Sequence, residues 1–258
     1  MGVTHHAMRL WAGPHADRPR IFAIRPLGSQ ALRALQDGAP YRGRGAAPDR
    51  GRIGQPRGGF PVAGRRPRIL LNPSCQYGNR ILGPDGEEWY NEGIEMYRLA
   101  LRVRRHLVAD GRCDVALTRH GETAPSLLAD EMAMARGSGA DVLLAIHSNA
   151  PGASNPEGRG QITFYRDDDP RSRFLAEAVH EPLLAATREI YPQVLDRGVA
   201  THPKRLTALW DPGMTSTLIE VLYHTHPLER PLLRDPSFQD RAGRALAAGL
   251  LHYLLPAG

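Results

Sequence analysis

A histidine at the end of a buried strand is the first feature of this sequence that could do chemistry. His147 follows the apolar run 142–146, and Ser148 and Asn149 come directly after it. An unbroken run of Val, Leu, Ala and Ile is typical of a strand buried on both faces of a parallel sheet. Ligands of open α/β sheets bind beyond the carboxyl ends of such strands, so His147 is a candidate metal ligand. The alternative is a buried histidine that is hydrogen-bonded to the backbone.

Three further residues near strand ends could share a site with His147. Glu220 lies late in an apolar strand, where an ionised carboxylate is costly unless it meets a cation or hydrogen-bond donors. Glu92 begins a predicted helix, and Cys75 follows the first predicted strand. Carboxylate, thiolate and imidazole are all zinc ligands. The alternatives are a salt bridge to arginine for Glu220, a favourable helix-dipole position for Glu92 and a small buried apolar role for Cys75.

The elements that would position these residues alternate along the chain from about residue 68. Periodicity predicts helices at 92–109, 127–136 and 171–188 and from 236 onward, the last with Asp235 as its cap. Strands are predicted at 68–72, 113–118, 141–146, 161–165, 206–210 and 215–222. This order indicates an α/β domain at 68–256, built on a single mixed, mostly parallel sheet with helices on both faces.

The preceding residues, 1–67, are predicted to be a largely disordered extension rich in Arg, Gly and Pro. Residues 1–68 contain 13 arginines and three aspartates, whereas the remainder has 20 basic and 24 acidic residues. The net charge of +6 therefore belongs to the extension, and we expect no nucleic-acid partner for the folded part. A short strand at 20–24 and a short helix at 29–36 are possible within it. An RNA- or membrane-binding arm is one interpretation, and a tolerated or mis-assigned extension is the other.

Other sequence features argue against several classes of protein. No run of 18 or more apolar residues exists, so no membrane span is predicted. The first 20 residues lack the apolar segment of a signal peptide, and the localisation stays open. Cys75 and Cys113 match no paired metal motif and indicate no disulfide framework. We expect a monomer.

At this point the chain resembles the zinc-dependent N-acetylmuramoyl-L-alanine amidases of the type often called amidase 3. The resemblance covers the region from about Arg68 to Leu255, and the order and spacing of its segments carry it. Pro73-Ser74-Cys75-Gln76 looks like the family's Pro-Gly-His-Gly turn, Glu92 like its helix-opening glutamate, and Leu117-Thr118-Arg119 like its Leu-Thr-Arg strand. Ala145-Ile146-His147-Ser148-Asn149 looks like the family's Ser-Ile-His-Ala-Asn segment. Ile219-Glu220-Val221-Leu222-Tyr223 looks like its Val-Glu-Val-Gly-Phe strand.

The resemblance implies a peptidoglycan hydrolase that cleaves the amide bond between N-acetylmuramic acid and L-alanine by metal-assisted hydrolysis. It implies that Glu92 and His147 bind zinc and that Glu220 is the catalytic carboxylate. Its partner would be peptidoglycan or a muropeptide, with Asn149, Ser148 and Arg119 as unranked contacts. The alternative is a degenerate domain that binds peptidoglycan without cleaving it.

The sequence departs from the family pattern at one metal ligand. Cys75 stands where the family has its first histidine, so a Cys, Glu, His site is one possibility. His224 is the other, because it would share the face of Glu220 if that strand continues. His226 and Gln76 are weaker candidates. A variant branch of the family begins with a Pro-Ser-x-Gln turn like the one here.

Overall fold

The strand expected from residue 68 is present in the structure. The computed structural model describes residues 65–124, 126–151 and 158–255, and the backbone of β1 (Met8–Arg9) and β2 (Ile21–Phe22). These two short strands pair antiparallel, and β2 falls within the stretch expected to form a strand. The expected helix at 29–36 lies outside the described residues, as do most of residues 1–67, which the sequence predicts to be disordered.

Strands and helices alternate over the rest of the chain. The further strands are β3 (Arg68–Pro73), β4 (Arg80–Leu82), β5 (Glu88–Asn91), β6 (Asp114–Leu117), β7 (Val142–Asn149), β8 (Gln161–Tyr165), β9 (Asp196–Thr201) and β10 (Thr215–Tyr223). The helices are α1 (Glu92–Asp110), α2 (Leu128–Ser138), α3 (Pro170–Ile190), α4 (Thr207–Trp210), α5 (Glu229–Arg234) and α6 (Pro236–Leu254). Within the described ranges, no helix has both the length and the apolar character needed to cross a membrane.

Six of the strands form one sheet, in the order β6-β3-β7-β10-β8-β9. Strands β6, β3, β7 and β10 are parallel, β8 is antiparallel to β10, and β9 is parallel to β8. The prediction of a mixed, mostly parallel sheet is therefore confirmed. The central neighbours β7 and β10 run in the same direction, so their carboxyl ends meet at one edge of the sheet.

The two faces of the sheet carry separate apolar cores. Leu144 and Ile146 of β7 pack with α1, α3 and α6, whereas Leu143 and Ala145 pack with α2 and α4. Successive side chains of a strand point to opposite faces, so His147 lies on the face of α2 and α4. These two helices have 11 and 4 residues, against 19 to 21 for those on the other face. The candidate histidine therefore belongs to the face with the shorter helices.

Helix α1 begins and ends where the sequence predicts. Asn91 caps its start, because the Asn91 side chain accepts a hydrogen bond from the backbone N–H of Ile94 at 3.4 Å. At the other end Gly111 adopts a φ of 79° and donates its N–H to the carbonyl oxygen of Leu107. Glycine takes this left-handed conformation without strain. The cap leaves Glu92 as the first helical residue.

Two of the sequence expectations about elements need correction, and several short elements were not expected. Residues 206–210 are not a strand: Thr207–Trp210 is the short helix α4, and Leu209 and Trp210 donate backbone hydrogen bonds to the carbonyl of Leu206. A short apolar run does not distinguish the two structures. Strand β7 does not stop before the histidine but continues through Asn149, because β10 pairs alongside it. The β4–β5 hairpin, β9 and α5 are short and polar, and no pattern predicted them.

We expect Gly249→Ala to lower the free energy of unfolding, because Gly249 of α6 lies against the backbone of α3. A Cβ atom there would contact the carbonyl oxygen of Ala178 and lie 2.9 Å from the Cα atom of Val179. Backbone atoms cannot turn aside as a side chain does, so the cost should be about 2 kcal/mol.

Gly137 of α2 is the matched control, since a Cβ atom there would have no neighbour within 4 Å. Gly137→Ala should stabilise the protein by about 0.5 kcal/mol through helix propensity alone. Urea unfolding of both variants measures the two effects. Equal stabilities for the two variants would contradict the close packing of α3 and α6.

Candidate metal and catalytic site

The sheet register places two of the predicted site residues side by side. Glu220 of β10 is the direct register partner of His147 of β7, and both strands are close to their carboxyl ends there. Leu218, two residues before Glu220, packs in the same core as Ala145, two residues before His147. Both side chains therefore leave the same face of the sheet. The expectation that Glu220 and His147 share a site agrees with this placement.

Glu92 reaches the same edge from the first turn of α1. Its Oε1 atom lies 3.0 Å from Nδ1 of His147, and the two side chains are 1% and 12% exposed. Burial acts against the charge of Glu92, but His147, Asn79 and Ser74 outweigh it and lower the pKa of this carboxyl. Burial also opposes the charge of His147, but Glu92 outweighs it and raises the pKa of the imidazole. The two groups therefore form a buried ion pair.

Two amide side chains from the turn after β3 surround this pair. The Nδ2 atom of Asn79 donates to Oε2 of Glu92 at 2.7 Å and to Oε1 of Gln76 at 2.8 Å. The Nε2 atom of Gln76 in turn lies 3.3 Å from Nδ1 of His147. The backbone carbonyl of Asn79 also accepts the N–H of Glu92. Gln76, a weaker candidate from the sequence, is thus a direct neighbour of His147.

Glu220 has the opposite environment to that of Glu92. Its Oε2 atom is shielded from solvent and has no hydrogen-bond partner in the described structure. Burial raises the pKa of Glu220 to about 7, against the opposing effect of His147 and with a further increase from Glu92. A carboxyl group that changes protonation near neutral pH is suited to general acid and base catalysis.

Cys75 is a half-buried free thiol at the end of β3. Burial raises its pKa to about 11, and the charge of Glu131 contributes more to this shift than the charge of Glu92. Among the described residues, no group of three His, Cys, Asp or Glu is close enough together to hold a metal ion. The structure therefore brings Glu92 and His147 together, but it does not add Cys75 to them as a third metal-ligating side chain.

His224 lies just beyond the end of β10 and is 3% exposed. Its ring stacks on that of Tyr90, with centroids 5.1 Å apart. The Tyr90 hydroxyl donates to Oγ of Ser148 at 2.6 Å, and this Oγ lies 3.0 Å from Nδ1 of His224. Burial lowers the pKa of His224. The Nδ1 atom is therefore engaged by Ser148, and the ring has a packing role beside the site.

The three expected substrate contacts differ in their exposure. Ser148 is 3% exposed and Arg119 is 2% exposed. The two terminal nitrogens of Arg119 donate to the Tyr77 hydroxyl and to the carbonyl of Gly93, and its Nε atom is shielded from solvent with no partner in the described structure. Neither residue presents a free polar group to a substrate in this conformation. Asn149 is half-buried at the end of β7 and is the most accessible of the three residues.

Comparison with known proteins shows the family of this chain. Residues 76–252 match the family Amidase_3, described as N-acetylmuramoyl-L-alanine amidase. The chain belongs to this family. The resemblance seen in the sequence is thus confirmed, although the match itself does not test which residue takes the place of the family's first histidine.

Two curated relatives from bacilli show the same relationship. An uncharacterized cell wall amidase of Bacillus anthracis is 28% identical over 178 residues, which is 64% of this chain and 32% of that protein. N-acetylmuramoyl-L-alanine amidase LytC of Bacillus subtilis is 28% identical over 193 residues, 75% of this chain and 36% of that protein. The chain therefore spans about a third of the length of the curated relatives it matches.

Solved amidase structures share the fold. The catalytic domain of the amidase CwlV from Bacillus (Paenibacillus) polymyxa superposes with a TM-score of 0.62 at 23% identity, covering 73% of this chain and 98% of that one. An N-acetylmuramoyl-L-alanine amidase from Clostridium difficile 630 gives 0.59 at 25% identity, covering 75% and 99%. The described domain therefore has the fold of an amidase catalytic domain.

The residues at the edge of the sheet fit part of the zinc shell that the amidase family implies. Oε1 of Glu92 lies beside Nδ1 of His147, yet the geometry is not that of a hydrogen bond, and this buried oxygen has no donor among the described residues. A carboxylate oxygen and an imidazole nitrogen are ordinary zinc ligands, and a cation would supply the partner that the oxygen lacks. Glu92 and His147 thus suit two of the three protein ligands of a catalytic zinc.

Sequence reasoning missed two residues of this site. Asn79 lies in the turn before β4, and Tyr90 lies in β5, which the sequence analysis did not assign. The signal available was weak: an asparagine in a Tyr-Gly-Asn turn indicates only a turn. Their roles follow from contacts between residues that are 12 or more positions apart, such as Asn79 with Glu92 and Tyr90 with Ser148.

Glu220→Gln should stabilise the fold at pH 8 but not at pH 4 when a chelator keeps metal away. In the folded protein the pKa of Glu220 is about 7, above the ordinary 4.5, so its ionisation opposes folding as the pH rises through this interval. Above pH 7 the full penalty is present, and removing it should add about 3 kcal/mol to the free energy of unfolding. Urea unfolding at the two pH values measures the difference. The same stabilisation at both pH values would contradict a raised pKa.

Proposed function

We propose that this chain is a peptidoglycan amidase that hydrolyses the bond between N-acetylmuramic acid and L-alanine, with zinc held by Glu92 and His147. The observation that carries the proposal is the meeting of the Glu92–His147 pair with the unsatisfied carboxylate of Glu220 at one sheet edge. Family membership supports the reaction class. The cell wall relatives support the substrate, and they are about three times longer than the segment matched.

The proposed reaction adds water across the amide. Glu92 and His147 would hold the zinc ion, which when bound would supply the acidification of a water molecule and the polarisation of the amide carbonyl. Glu220 accepts a proton from the attacking water and then donates it to the departing amino group of alanine. Its pKa of about 7 allows both steps near neutral pH. Water supplies the hydroxyl group of the new carboxylic acid, so the products are a free lactyl carboxylate and a free peptide.

The roles of Glu92 and Glu220 differ because their surroundings differ. Asn79 and His147 favour the charged form of Glu92, which is the form that binds a cation. Glu220 has no such donor on Oε2 and changes protonation more easily. Two carboxyl groups with pKa values shifted in opposite directions are typical of a division between electrostatic and proton-transfer roles.

The third protein ligand is proposed to come from the turn after β3, by Cys75 or Gln76. Gln76 already contacts His147, and Cys75 occupies the position of the family's first histidine. His224 is the less suitable of the two ligands expected from the sequence, because its ring is buried and stacked on Tyr90. Its Nδ1 atom is engaged by Ser148, which leaves Nε2 as the nitrogen for a metal.

A second function, binding of peptidoglycan without cleavage, is favoured by the environment of Cys75. The thiol interacts more strongly with Glu131 than with Glu92, and burial disfavours its thiolate. If neither Cys75 nor Gln76 binds the metal, the domain would keep the fold but lack a complete zinc shell. The two experiments below separate the two functions.

Glu220→Gln should reduce the release of stem peptides from purified peptidoglycan by roughly 100-fold or more, because proton transfer is lost. The assay uses the full chain with added zinc and measures new amino termini. Glu87→Gln is the matched control: Glu87 lies in the exposed hairpin, contacts the indole N–H of Trp89 and should leave the activity unchanged. Undiminished release by Glu220→Gln would exclude Glu220 as the proton carrier. Binding without any release by the native chain would favour the second function.

Metal analysis of single variants should identify the zinc ligands. Glu92→Gln and His147→Ala are each expected to lose bound zinc, and His224→Ala is expected to retain it. Loss in Cys75→Ala would assign the third position to the thiolate, and loss in Gln76→Ala would assign it to the amide. Retention of zinc by both turn variants, or its loss in His224→Ala, would refute the proposed third position.

A further inference from the structure

Asn79 makes four hydrogen bonds, two with Glu92 and two with Gln76, one of which runs from its backbone N–H to the Gln76 carbonyl oxygen. Its Nδ2 atom donates to Oε2 of Glu92 and to Oε1 of Gln76, and its carbonyl oxygen accepts the backbone N–H of Glu92. The side chain and the backbone of one residue thus hold the carboxylate and the first peptide group of α1. Ser74 lies nearby as well: its hydroxyl oxygen accepts the backbone N–H of Gln76, and it lowers the pKa of Glu92, but Asn79 is the residue that holds both the Glu92 carboxylate and the Gln76 side-chain amide.

The chemistry of the partners fixes the orientation of both amides. An ionised carboxylate can only accept hydrogen bonds, so the Asn79 atom that faces Glu92 must be the NH₂ group. Its second hydrogen then points to Gln76, which must present its oxygen. The Gln76 nitrogen is consequently the atom that faces His147, in agreement with the distance of 3.3 Å. Donors and acceptors match from Glu92 through Asn79 to Gln76, and Gln76 donates to Nδ1 of His147 when this nitrogen carries no proton.

This arrangement leaves Glu92 with two unequal oxygens. Oε2 receives the Asn79 hydrogen bond, whereas Oε1 has no donor among the described residues and lies 3.0 Å from His147. A carboxylate free to rotate about its last bond would exchange the two oxygens. The hydrogen bond from Asn79 prevents this exchange, because rotation would break a charge-assisted contact in a buried place.

We infer that Asn79 is a positioning residue, which fixes the carboxylate of Glu92 and the amide of Gln76 around His147. The inference rests on the proposed function, since it gives Asn79 a purpose in the same site. Asn79 itself would touch neither the substrate nor the metal. Residues that hold a metal ligand in place by hydrogen bonds typically contribute about 10–100-fold to metal affinity or activity.

Asn79→Ala in the full chain tests the inference. We expect the dissociation constant for zinc, measured by titration calorimetry, to rise by about 10–100-fold. The kcat for peptide release should fall while KM stays within about twofold, because the substrate does not contact Asn79. Asn79→Ser keeps one hydroxyl donor and should recover part of both losses.

Asn91→Ala is the matched control for a general effect on this region. Asn91 lies in the same segment and caps α1, and it donates to Tyr77 and Glu88 rather than to the Glu92 carboxylate. Its loss should lower Tm at least as much as Asn79→Ala does, with the zinc dissociation constant unchanged. If Asn79 had a merely structural role, its loss would weaken zinc binding no more than the loss of Asn91 does for the same decrease in Tm. That result would overturn the inference.

The outcomes for the native chain keep the two proposals apart. If the native chain binds zinc and releases peptide, and Asn79→Ala does both equally well, only the role of Asn79 is refuted. If the native chain binds no zinc, the metal site of the proposed function is refuted and the role of Asn79 falls with it.

Discussion

The burial of two carboxyl groups beside His147 is the constraint on which the rest of this structure depends. Burying a charged carboxylate inside a protein costs roughly several kcal/mol of folding free energy unless hydrogen-bond donors or opposite charges compensate it. Glu92 is 1% exposed and is met by His147 and Asn79. The first turn of α1, the turn after β3 and the register of β7 each bring one of these groups to its place. Local features with little in common in the sequence thus serve one electrostatic requirement.

Glu220 shows the other side of the same constraint. It lies opposite His147 in the register, but its Oε2 atom has no donor among the described residues, and burial raises its pKa to about 7. A fold selected only for stability would replace or satisfy such a group. The cost of keeping it is understandable where a reaction needs a proton carrier near neutral pH. The glutamate at position 92 is therefore held in its charged form by its partners, whereas the glutamate at position 220 changes protonation near neutral pH.

Much of this arrangement could be predicted from local patterns. The buried strand before His147, the helix that begins at Glu92 and the apolar strand around Glu220 each carry a strong periodic or capping signal. Parallel strands with intervening helices bring their carboxyl ends to one edge, so the meeting of these three residues followed from the order of elements. The predicted strand at 206–210 was wrong, because four or five apolar residues fit one turn of helix equally well.

The sequence by itself determined the fold class and the family, and it predicted three side chains of the candidate site, because periodicity and strand-end position are encoded in neighbouring residues. Only the tertiary structure decided how the site is held together. Asn79 contacts Glu92 of α1, and Gln76 contacts His147 of β7. Ser148 contacts Nδ1 of His224, which the sequence had offered as a ligand. The direction of a side chain depends on donors and acceptors 13 to 76 residues away, and no local pattern contains that information.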